Sequence, residues 1–148
     1  MKANRFIYEK SNSIVNIDYI NGGHDLYNSL LHTGELFSDR MRFGQLLLDY
    51  LCDRYGIYRC HLRIHNDVQP SKHNGKILGC YHSGSRIIEI WNLTAKQKKV
   101  VSINVFANTL LHEFMHHYDL EYLCLCGTIH CSGFYKRISE LGKMLGSM

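Results

Sequence analysis

The chain is poor in the features that divide or anchor a protein. One proline occurs in 148 residues, and there is no Pro- or Ser-rich linker, low-complexity tract or internal repeat. Those absences exclude a repeat array and leave a single domain spanning 1–148 as the expectation. No apolar run approaches the roughly 20 residues that a helix needs to cross a bilayer. The first ten residues, Met1 to Lys10, lack the apolar core of a secretory signal, so the expected location is cytoplasmic, with no membrane partner. Cysteines are present at 52, 60, 80, 124, 126 and 131, but never in the C-x-x-C spacing of the usual zinc ribbons. A domain of this size can bury a core without disulfides, and Cys52, Cys60 and Cys80 fall in segments that read as core helix or strand, so free thiols are expected. Cys124, Cys126, His130 and Cys131 stay together as a candidate structural metal cluster.

What is present is ordinary in bulk. The hydrophobic fraction is 45%, charged residues make up 20%, and the formal net charge is +4. Lys96, Lys98 and Lys99, and the pair Lys136-Arg137, are local basic clusters. Such charges read first as a solvated face, with DNA association as a candidate partner although no nucleic-acid module is visible.

Patterning predicts an α+β domain. Residues 1–23 read as an irregular lead-in broken by Asn21-Gly22-Gly23. A short helix follows near 25–32, then a long one that Ser38 can cap and Gly56 can stop after Tyr55. Apolar positions 60, 62 and 64 alternate with polar ones, the period of a half-buried strand across 57–65. Strands are expected at 76–82 and 86–91, joined by the turn Ser83-Gly84-Ser85, with 66–75 as a loop outside the sheet. Helices at about 102–122 and 132–146 complete the chain, giving N-terminal helices, a three-stranded sheet covered on one side by helices, and two further helices.

The informative stretch is His112-Glu113-Phe114-Met115-His116. On a helix, histidines four residues apart leave the same face, with the glutamate about 100° round. Two imidazoles are two of the three protein ligands that a catalytic zinc needs, and a carboxylate beside them can accept a proton from water at the open position. With 10 His and 6 Glu in the chain, a shuffle yields the five letters about 3 times in 100, so the surroundings matter. Here Ile103, Ala107, Leu110, Phe114 and Tyr118 recur at helical spacing, with Leu111 and Met115 beside them. His112, His116 and Asp119 fall on the other side, and Ser102 stands ready as a cap. Asp119 reads either as a solvated residue or as a carboxylate orienting a ligand histidine. His117, on the flank, reads as packing. Tyr118, Tyr122 and Tyr135 read mainly as core aromatics, any one of which could reach a developing oxyanion.

Downstream, His130 precedes the last helix, and Phe134 lies four residues beyond it. A strand hairpin, an H-E-x-x-H helix, then a histidine shortly before a helix and an aromatic soon after: the segment 57–146 resembles the SprT-like zinc metallopeptidase family, the Spartan-type zincins. Cys131 stands where that family has a glycine, and no zinc ribbon follows within the 148 residues. The longer H-E-x-x-H-x-x-G-x-x-H pattern is excluded by Asp119 and Tyr122. The resemblance implies a zincin-like domain with Zn2+ held by His112, His116 and His130, and Glu113 as general base in peptide-bond hydrolysis. It also implies a protein or peptide substrate lying along the sheet edge near Arg86 to Trp91. Two other readings stand beside it. One is a nucleic-acid-associated or regulatory binding module with a structural metal; the other is a thermolysin-like zinc peptidase with Glu140 as third ligand.

Overall fold

The computed structural model describes residues 2–67, 78–94, 98–127 and 129–146. Within them the order is α1 (Lys2–Ser13), α2 (His24–Leu31), α3 (Phe37–Tyr55), β1 (His61–His65), β2 (Gly79–His82), β3 (Ile87–Trp91), α4 (Ile103–Glu121) and α5 (Ser132–Gly146). The expected α+β arrangement is present. Residues 68–75 of the expected loop, Lys76 and Ile77 at the start of the expected strand, and Lys96 lie outside the described residues.

The sheet is mixed, in the order β1-β3-β2, with β1 parallel and β2 antiparallel to β3. Register pairs Leu62 with Ile88 and Ile64 with Ile90. All four of these side chains are buried on one face, where α3 packs on β1 and α4 packs on β2 and β3. Side chains alternate across a strand, so the same register sends His61 and Arg63 to the opposite face. Leu47, Leu48 and Leu51 of α3, Phe106, Leu110 and Phe114 of α4, and Phe134, Leu141 and Leu145 of α5 are fully buried and complete one core.

Two expectations are corrected. The lead-in is not irregular, because residues 2–13 form α1. Phe6 and Tyr8 remain exposed, so no apolar stripe announces the helix; it is held by polar contacts to α5. Asn12 Oδ1 accepts the Gly133 N–H at 3.0 Å, and the buried Arg137 guanidinium donates to the Ser11 and Ile14 carbonyls at 2.6 Å each. A Cβ on Gly133 would lie 2.5 Å from the Ser11 carbonyl oxygen, so the two helices can meet only at a glycine. The second correction is that Ser38 does not cap α3. The helix begins at Phe37 after Leu36, with no side-chain cap. The buried Arg40 sets this first turn by donating from Nε to the Gly34 carbonyl and from Nη1 to Asn92 Oδ1. The C-terminus is as expected, with Gly56 in the left-handed conformation at φ 69°.

Candidate metal centre

α4 begins as its sequence dictates, with Ser102 Oγ accepting the Val105 N–H at 3.2 Å. Ala107, Leu110, Phe114 and Tyr118 are at most 1% exposed along the predicted stripe. The opposite side is not open to solvent, however, because α5 covers much of it. His116 is 8% exposed and Asp119 6%.

His112, His116 and His130 come together. Their ligand atoms all lie within 4.8 Å of one another, and His130 Nε2 stands 3.0 Å from His116 Nε2. His112 and His116 project one turn apart from α4. His130 reaches them because the chain reverses after α4 and is pinned on either side of the reversal. The Leu125 N–H returns to the Asp119 carbonyl at 2.9 Å, and the buried Cys131 thiol meets Ser11 Oγ at 3.3 Å. Phe134, one turn into α5, packs beneath all three imidazoles, stacked on His116 with centroids 4.6 Å apart and edge-on to His112 at 5.1 Å. A fully buried aromatic in that place fixes the rings without competing for their nitrogens.

The electrostatics suit a cation. Burial, and then the neighbouring histidines, push His112 down to about 4 and His116 down to about 3. Both imidazoles are therefore neutral at pH 7, the form that ligates a metal. Burial also raises the Glu113 carboxyl to about 7. Three imidazoles converging beside a buried carboxyl are a donor set that fits zinc. These groups line a cleft of about 560 Å³, bounded on the other side by Leu78 and by Gly79, Cys80 and Tyr81 of β2. Gly79 permits that approach, since a Cβ there would fall 2.7 Å from Thr109 Cγ2 and 3.1 Å from Glu113 Cγ.

Several sequence-predicted residues are placed elsewhere. Asp119 neither faces solvent nor orients a histidine; it forms a bidentate pair with the buried Arg137 at 3.1 and 2.8 Å. Lys136-Arg137 is accordingly not a basic patch. Glu140 does not line the cleft and is not grouped with the three histidines; its half-exposed carboxylate lies 3.7 Å from Lys143 Nζ. Cys124 and Cys126 are exposed and Cys131 is buried against Ser11, and no metal-binding group among the described residues joins them. Tyr118 and Tyr122 turn to Asp18, Tyr118 accepting its N–H and Tyr122 bonding its carboxylate. Tyr135 alone of the three flanks the histidines, 6.1 Å from His112 and from His130 between centroids. The segment Arg86 to Trp91 is no sheet edge either, since β3 is paired on both sides; the edge beside the cleft is β2.

Arg137, Gly79 and Phe134 are what sequence reasoning undervalued. Arg137 and Gly79 gave no local signal, whereas Phe134 was visible as an aromatic one turn after His130. In comparisons with known proteins, the chain matches no family model, no curated protein and no solved structure.

Proposed function

We propose that the chain is a zinc-dependent endopeptidase of the SprT-like type, with His112, His116 and His130 as ligands and Glu113 as general base. The observation that carries this reading is the meeting of three imidazoles with a buried carboxyl in one cleft. Zinc bound there supplies a water of lowered pKa and polarises a carbonyl oxygen. Glu113 would take the proton from the attacking water as the new C–O bond forms and then deliver it to the leaving amine as the peptide C–N bond breaks. A structural site would have no use for such a base. The side of β2 that pairs with no strand among the described residues, at Gly79 to Tyr81, would offer main-chain donors and acceptors to an extended substrate, which gives broad side-chain preference. Tyr135 is the tyrosine set to donate to the carbonyl oxygen as it gains charge.

The test is metal determination on purified protein together with hydrolysis of an unfolded protein substrate, with and without DNA. Zinc-loaded wild type should cleave, while Glu113→Gln should keep its metal and fold and lose roughly 10²–10⁴-fold in rate. A Glu113→Gln variant as active as wild type would refute the mechanism. So would a metal-loaded wild type inert on unfolded protein in both conditions.

A further inference from the structure

A second group of soft ligands lies behind α4, away from the cleft. Cys52 in the last turn of α3, Cys60 just before β1 and His117 of α4 are each 0% exposed, and their ligand atoms lie within 4.8 Å of one another. The plain account is that thiols serve as small core hydrophobes beside a hydrogen-bonded histidine. His117 itself says more. Its Nε2 lies 2.6 Å from the Tyr58 carbonyl oxygen, which can only accept, so Nε2 carries the proton and Nδ1 carries the lone pair. Metal-ligating histidines have this arrangement, one N–H donated to a backbone carbonyl and the other nitrogen presented to the ion. Nδ1 is met at 2.6 Å by the Tyr81 hydroxyl, from a strand that lines the cleft.

We propose that Cys52 Sγ, Cys60 Sγ and His117 Nδ1 hold a second, structural zinc ion, sealed in the core, with the Tyr81 hydroxyl closing the fourth position. Two thiolates and an imidazole are a donor set that selects zinc among the common divalent ions of cells. In a tetrahedral site with Zn–S bonds of about 2.3 Å the sulfurs stand about 3.8 Å apart, and the ligand atoms here lie within 4.8 Å of one another. On binding, two thiol protons are released and Tyr81 gives up its hydrogen bond to Nδ1. Because all three ligands are sealed from solvent, the ion enters as the chain folds. The site would clamp the end of α3 and the entry to β1 onto the helix that carries His116. It stands independently of the peptidase reading.

The experiment uses the full chain carrying Cys80→Ser, His112→Ala, His116→Ala, Cys124→Ser and Cys126→Ser, which removes the cleft site, its thiol and the exposed thiols, refolded with Co2+. It should bind about one ion per chain and show the near-ultraviolet thiolate-to-cobalt charge-transfer absorption of a sulfur-ligated site. Adding Cys60→Ala should abolish that band. The proposal is overturned by a folded parent variant with no such band, or by one in which peptide mapping finds a Cys52–Cys60 disulfide. Should Cys60→Ala not fold, the spectrum of the parent variant still decides.

Discussion

His116 and His117 are neighbours in sequence and stand in opposite surroundings. His116 faces the cleft, with Nε2 aimed at His130 and a phenyl ring beneath it. His117 faces the core, with both ring nitrogens held at 2.6 Å by oxygens of Tyr58 and Tyr81. Adjacent helical residues diverge by about 100°, so one step along α4 exchanges a cleft-lining face for a sealed one. The difference lies in commitment. An imidazole propped by an aromatic keeps its nitrogens for a ligand that arrives from solvent, whereas one fixed by oxygens serves the architecture around it.

The largest contrast should come from replacing each in turn. His116→Ala should abolish metal uptake in the cleft and hydrolysis while leaving the fold intact by circular dichroism. His117→Ala should retain hydrolysis per folded molecule but lower stability by at least about 1–3 kcal/mol in urea unfolding, since the buried Tyr58 carbonyl loses its N–H donor. Equal losses of activity in the two variants would break the comparison.

Arg137→Ala should rank next. It leaves Asp119, 6% exposed, without its bidentate partner, and removing one member of a buried pair costs about 3–5 kcal/mol. The same change removes the donor that ties the Ser11 and Ile14 carbonyls to α5, so amide exchange across residues 2–13 should accelerate alongside the loss of stability. Unchanged exchange there would detach α1 from the account.

Gly79→Ala should be smaller and more selective. Its Cβ would press on Thr109 and Glu113, so hydrolysis should fall while metal content holds, at a stability cost of about 1–3 kcal/mol. Loss of metal in that variant would mean that β2 shapes the histidines and not the base. The smallest effect is expected from Cys124→Ser with Cys126→Ser, exposed positions whose replacement should leave both metal content and activity at wild-type levels.

What the sequence made legible follows from how locally each feature is determined. α4 could be read from the stripe Ala107, Leu110, Phe114 and Tyr118 and from the Ser102 cap, and the stop at Gly56 from one residue type. His112, Glu113 and His116 needed only helical spacing. His130 could be proposed because a reversal separates it from His116, but its anchoring by Leu125, Cys131 and Ser11 is non-local. α1 was missed because its stabilising contacts are made by residues 120 and more positions away. The free edge was misassigned for a similar reason. Strand order in a mixed sheet is not chain order, so β3, last in sequence, lies in the middle. Asp119 and Arg137 each look like ordinary surface charges until the packing of α4 on α5 buries them together.

The central claim is that His112, His116 and His130 form one metal site. The most direct measurement is a crystal structure of the zinc-loaded protein recorded at the zinc absorption edge. The account predicts an anomalous peak at about 2.0–2.1 Å from a ring nitrogen of each of these three histidines, with Glu113 beside it and not bonded to it. A cleft without a peak, or a peak ligated by the Glu140 carboxylate with His130 turned to solvent, would contradict it.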